Sequence, residues 1–157
     1  MQVKVCDILL SGADVIVFSA HPTLISGSGV SGVVHRAAGP ELEKVAKALG
    51  PISPGKAVMT PAFNLPAKYI IHAVCPRYIH GTQDEERLLG SAYASALSLA
   101  VNATNIESIA FVFMGIGVYR WPKELAAKIA VQELRKSAID TTILCVHDKS
   151  VSLDIFN

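Results

Sequence analysis

Charge is scarce in this sequence. Only 17% of its 157 residues are Asp, Glu, Lys or Arg, and 14 basic against 13 acidic side chains leave a formal net charge of +1. So even a balance supplies no broad field toward nucleic acid or an anionic membrane, and neither is expected as a partner. Cysteine is scarcer still. Cys6, Cys75 and Cys145 are an odd, widely separated set in apolar runs, which predicts buried, reduced thiols rather than a disulfide framework. No CxxC pair accompanies the histidines, so no metal site is expected. The opening MQVKVCDILL lacks a basic segment followed by a long apolar run and a small-residue cleavage site. No apolar run reaches the roughly 18 residues of a membrane span. A soluble, intracellular protein in the cytoplasm is expected. No repeat, low-complexity tract or charge block divides the chain, which predicts one domain over 1–157.

What is abundant is apolar side chain, at 51%, as a sheet covered on both faces requires. Alternation and β-branched content predict strands over 3–8, 14–20, 57–61, 69–75, 108–114 and 141–147. Between them, helical patterns cover 30–38 continuing through 41–49, then 84–101, then 122–138, with Pro122 suited to the first turn. Strands alternating with helices predict an α/β sandwich with a partly parallel sheet. The short link containing Asn64, Pro66 and Lys68 predicts an antiparallel pair within it, and so a mixed sheet. The abrupt tail, residues 152–157, fits either an atypical last element or excision from a longer protein. Phe156 in that tail reads as a packing residue or as a neighbour of the ligand.

Two loops carry the chemistry. The first runs from His21 to Leu42, after a buried strand and into a helix, and Gly27, Ser28, Gly29, Val30, Ser31 and Gly32 spell GxGxxG. A dinucleotide-binding Rossmann unit would put its glycines directly after the strand and an acid about 20 residues beyond. Six residues intervene here, and the region beyond is Pro51, Ile52 and Ser53, so that reading fails. The glycines serve either a tight turn with close helix packing or a phosphate cradle of backbone N–H groups at a helix start. The second loop repeats the pattern: a buried strand, Gly115, Ile116, Gly117, Val118 and Tyr119, then a helix near Pro122. Two such loops beyond the carboxyl ends of strands point to a diphosphate between them. Tyr119 reads as a wall of that site and Trp121 as packing.

Together, Gly27-Ser28-Gly29-Val30, His35-Arg36-Ala37-Ala38-Gly39-Pro40, Leu65-Pro66-Ala67-Lys68-Tyr69-Ile70-Ile71-His72 and Gly117-Val118-Tyr119 closely resemble the macro domain family, especially its bacterial branch related to mono-ADP-ribosyl hydrolases and O-acetyl-ADP-ribose deacetylases. The resemblance implies a three-layer α/β/α sandwich around a mixed, largely parallel sheet. It also implies a cleft for ADP-ribose, with no cofactor. It places Asp7 against the adenine amine, with Ile8 as a neighbouring backbone donor and wall. Gly27 to Ser31 and Gly115 to Tyr119 would then clasp the diphosphate and distal ribose. His35, Arg36 and His72 read as structural. The chain departs from hydrolytic relatives where Phe18-Ser19-Ala20-His21 replaces Asn-Ala-Ala-Asn, and where Ser31 replaces the catalytic acid. Three readings follow. The chain binds free or protein-linked ADP-ribose without turnover. Or it hydrolyses an ADP-ribosylated protein, O-acetyl-ADP-ribose or ADP-ribose 1″-phosphate, with His21 as general base or with help from a substrate phosphate. Or it uses the fold's surface to bind RNA or protein.

Overall fold

A computed structural model describes residues 1–81 and 84–157. Among the described residues the elements run β1 (Gln2–Val5), a 3-10 turn (Ile8–Leu10), β2 (Val15–Ser19), α1 (Gly29–Ala38), α2 (Pro40–Lys47), β3 (Ala57–Pro61), β4 (Tyr69–Ala73), α3 (Glu85–Val101), β5 (Ser108–Val112), α4 (Lys123–Leu134), β6 (Thr141–Val146) and a closing 3-10 turn (Leu153–Phe156). The strands form one sheet in the order β1-β6-β5-β2-β4-β3. All neighbours are parallel except β3 and β4, which pair antiparallel from Ala57 opposite Ala73 to Pro61 opposite Tyr69. The expected mixed sheet is therefore present, with its antiparallel pair at one edge.

The two-residue period of the strands sorts the core into two faces. Val15, Val17, Ile71, Ile109, Phe111 and Leu144 pack under α3 and α4. Ile16, Phe18, Ile70, Ala110 and Ile143 pack under α1 and α2. This is the α/β/α sandwich. Central β2 is apolar from Val15 to Phe18 because helices cover both its faces. At its amino end Asp14 accepts from the N–H groups of Glu107 (2.8 Å) and Ser108 (3.3 Å), with Lys68 3.8 Å away. The Glu107 bond is the leading cause that holds this carboxyl below the usual carboxylate range.

Four expectations need correction. The first strand ends at Val5, and the apolar run after it turns into a 3-10 helix because Asp7 caps it, accepting from the Leu9 N–H at 2.9 Å. The long first helical pattern breaks at Gly39, which adopts φ 97° before Pro40 opens α2. Pro122 precedes α4 with ψ 129° instead of lying in its first turn, and α4 ends at Leu134 rather than 138. Cys6 is only half-buried, unlike Cys75 and Cys145. The tail is an element of its own: Phe156 is buried and its ring meets Phe113 edge-on at 4.9 Å.

Candidate functional site

Because β1, β6, β5, β2 and β4 are all parallel, the loops leaving their carboxyl ends emerge on one side of the sheet. The chain goes from β2 outward to the β3–β4 edge under α1 and α2, and from β5 outward to β6 through α4. The connections diverge between β2 and β5, which are adjacent through Val15–Ile109 and Val17–Phe111. Such a switch point leaves a crevice. The two glycine loops, one after β2 and one after β5, flank it.

In the first loop, α1 begins at Gly29 with Ser28 at the cap position and no side chain capping it. Its leading N–H groups, those of Gly29, Val30, Ser31 and Gly32, have no partner within the helix, and no acidic residue occupies the first turn. This is a set of donors with a positive dipole end behind it. The glycines divide by role. A Cβ on Gly32 would lie 2.2 Å from the Gly27 carbonyl oxygen, so Gly32 exists for close packing of loop on helix. Gly29 has φ 64°, which a side chain would strain. At Gly27 a Cβ would meet nothing within 4 Å, so neither packing nor backbone strain demands glycine there. Ser31 is buried at 6% exposure and its hydroxyl has no hydrogen-bond partner among the described residues.

The second loop divides the same way. Gly115 has φ 98°, and a Cβ on it would strike the Trp121 ring at 2.8 Å. Trp121 is packing, as expected: it is buried, donates from Nε1 to the Pro76 carbonyl at 2.9 Å and lies 5.1 Å from the Tyr78 ring. Gly117 is open, with nothing within 4 Å of its would-be Cβ, Ile116 is half-buried and Val118 projects with 79% of its surface exposed. Tyr119 is half-buried, with the Arg77 guanidinium 5.8 Å from its ring. Its carbonyl accepts the Tyr78 N–H at 3.0 Å, which ties the loop after β4 to the loop after β5.

Asp7 sits on the same side of the sheet but beyond β1. Three strand spacings, about 14 Å, separate β1 from β2. The turn that follows Asp7, Ile8–Leu10, folds back against β5, the strand beside the crevice. One Asp7 oxygen is engaged by Leu9, and Ile8 is buried against the α1 side of the core.

His21 is exposed beside the first loop. Its Nδ1 accepts the Thr23 N–H at 3.1 Å and lies 2.7 Å from the Thr23 hydroxyl. An Nδ1 that accepts from a backbone N–H places the neutral ring's proton on Nε2. Thr23, which fixes this ring, is missed by motif reading; its only signal is a hydroxyl residue two positions after the histidine. Phe18 is fully buried, its ring edge-on to His72 at 4.9 Å and to His35 at 6.1 Å. Both histidines are buried, and neither ring nitrogen of His35 has a hydrogen-bond partner among the described residues. His72 bonds Thr60 Oγ1 at 3.0 Å. Burial pushes His72 down to about 3, with His35 adding to the effect, and burial lowers His35 as well. Arg36 is exposed on α1.

An α/β/α sandwich with a glycine loop on each side of its switch point is an arrangement in which proteins commonly hold nucleotide phosphates. Residues 17–130 match the family model of the macro domain, and the chain belongs to the macro domain family. It is 45% identical over 135 residues to a protein of Enterobacter sp. (strain 638) named O-acetyl-ADP-ribose deacetylase, covering 83% of this chain and 74% of that protein. Its fold is similar to that of the Oceanobacillus iheyensis macrodomain with ADP, with a TM-score of 0.90 and 30% identity over 98% of this chain and 86% of that one. It is also similar to the Trypanosoma brucei macrodomain in complex with ADP-ribose, with a TM-score of 0.85 and 28% identity over 98% of this chain and 66% of that one. Among the described residues no helix is long and apolar enough to cross a membrane, and no cluster of His, Cys, Asp and Glu could hold a metal ion.

Proposed function

We propose that this chain, acting as one domain in the cytoplasm, binds ADP-ribose or a derivative of it, free or linked to protein, and holds it without efficient turnover. The observation that carries this reading is the uncapped start of α1, which faces the crevice beside the open Gly117 loop. Backbone donors from Gly29 to Gly32 and from the 115–119 loop would take the diphosphate, with Asp7 accepting from the adenine amine at the far end. The solved structures with ADP and ADP-ribose bound to similar folds support the same ligand class.

The catalytic edge favours binding over hydrolysis. A serine hydroxyl at position 31 cannot take a proton from water at neutral pH. His21 would have to release Thr23 from Nδ1 before it could act as a base. Phe18, buried between two histidines, offers no polar group. The hydrolase reading is supported by the name O-acetyl-ADP-ribose deacetylase, which the Enterobacter protein shares with other relatives of the same 45% identity. Calorimetry with ADP-ribose, ADP and NAD tests the binding reading, which no heat from any of the three would overturn. Incubation with O-acetyl-ADP-ribose and with mono-ADP-ribosylated protein, comparing wild type with His21→Ala, tests the other. Rapid turnover lost in the variant would replace the binding reading with an enzyme using His21 as its base.

A further inference from the structure

β1 is an edge strand. It pairs only with β6, from Gln2 opposite Ile143 to Val5 opposite Val146, and three of its four residues are exposed. Strands this short and this exposed contribute little apolar burial and are among the first elements to fray. The register sets Lys4 beside Cys145. Cys6, two residues further on, therefore lies on the same face and diagonal to it. The Cys6 N–H still donates to the Val146 carbonyl at 3.3 Å, so the backbone remains docked there. The two Sγ atoms are 2.6 Å apart, about half an ångström beyond a disulfide bond length. The third thiol is placed quite differently. Cys75 is fully enclosed against Met114 Sδ at 3.5 Å, and burial pushes it up to about 12.

We propose that Cys6 and Cys145 are a reversible dithiol–disulfide pair that fastens β1 to β6 under oxidation. Cys6, half-buried at the sheet edge, is the sulfur that meets the oxidant. Cys145 is 3% exposed, and burial holds its thiol far above the usual range, so it is the resolving partner. With a hydroperoxide as oxidant, the Cys6 sulfur attacks the peroxide oxygen and breaks the O–O bond. A sulfenic acid forms and, from hydrogen peroxide, one water leaves. The Cys145 sulfur then attacks the sulfenic sulfur and expels hydroxide, which departs as a second water with the Cys145 proton. Two thiols lose two electrons and the peroxide gains them. A dithiol reductant reverses the change by exchange. The bond would close a loop 139 residues long in sequence separation, where the loss of unfolded-chain entropy is large. On the reading of Asp7 given above it would also pin the adenine end of the cleft, since Asp7 follows Cys6 directly. The bond itself is tested without any ligand, so the two proposals fail separately.

The test treats the purified chain with stoichiometric hydrogen peroxide and then with dithiothreitol. Intact mass should fall by about 2 Da on oxidation and return on reduction. Tryptic peptides 5–36 and 137–149 should be cross-linked, while peptide 69–77, carrying Cys75, stays free. The melting temperature should rise reversibly by about 5–15 °C. Cys6→Ser, at a half-buried position, should fold, lose none of that mass and show no rise. A chain that keeps three free thiols, takes up oxygen at Cys6 without cross-linking, or links through Cys75 would overturn the proposal. So would a cross-linked chain that melts no higher than the reduced one.

Discussion

Replacing Gly32 with alanine tests the division of labour within the first loop. The added Cβ would stand 2.2 Å from the Gly27 carbonyl oxygen and 3.1 Å from Arg36 Nη1, whereas such contacts essentially never fall below 3.0 Å. Arg36 is exposed and can swing aside. The Gly27 carbonyl is backbone, so the loop must retreat by the better part of an ångström. Overpacking of that kind costs about 1–3 kcal/mol, which for a chain of this size lowers the melting temperature by roughly 3–10 °C. Two companion substitutions isolate the cause. Gly27→Ala adds a Cβ with nothing within 4 Å and at no left-handed φ, so its melting temperature should stay within about 2 °C of wild type. The Cβ of Gly117→Val would likewise meet nothing within 4 Å; the variant should weaken ADP-ribose binding by tenfold or more, because its branches crowd the diphosphate loop. Thermal melts and calorimetry on the three proteins decide the matter. If Gly32→Ala melts with wild type, or Gly27→Ala falls as far as Gly32→Ala does, the packing of loop on helix has been misread.

Asp7→Ala should weaken adenine-containing ligands by about 10- to 100-fold, the range for hydrogen bonds to a charged group. An unchanged dissociation constant would put the adenine elsewhere. His72 carries a pH dependence. Its folded value near 3 lies below the ordinary 6.5, so the unfolded chain binds the extra proton, and the stability present above pH 6.5 drains away as pH falls toward 3. That amounts to about 2 kcal/mol between pH 6.5 and 5. Denaturant melts of wild type and His72→Leu should show a flatter acid limb in the variant, and parallel limbs would contradict the assignment. Trp121→Phe removes the bond from Nε1 to the Pro76 carbonyl and should lower stability by about 1–3 kcal/mol, read from the urea midpoint.

The elements that were legible in the sequence are those whose pattern and packing agree. The strand over 57–61, whose apolar residues alternate between the two helix layers, and the helix ending at Val101 are recovered almost to the residue. The antiparallel turn before Tyr69 was visible in its proline and asparagine. What was hidden depends on contacts across the chain. Nothing local distinguishes Gly32, which packs on a carbonyl five residues back, from Gly27, which faces open space. Nor does the spelling of residues 3–8 show that Asp7 will cap a 3-10 turn and end the strand. The proximity of Cys6 and Cys145, 139 positions apart, is invisible until the register of β1 against β6 is known. At the catalytic edge the residue types Phe18, His21 and Ser31 were plain. The tautomer that Thr23 imposes on His21 was not, because it rests on one hydrogen bond to a backbone N–H.

The most direct test of the account is a crystal structure after soaking with ADP-ribose. It should show the diphosphate between the N–H groups of residues 29–32 and the 115–119 loop, the adenine amine on Asp7, and an intact distal ribose beside His21. Crystals that diffract well and show the ligand elsewhere, or a cleft that stays empty at saturating ADP-ribose, would contradict it.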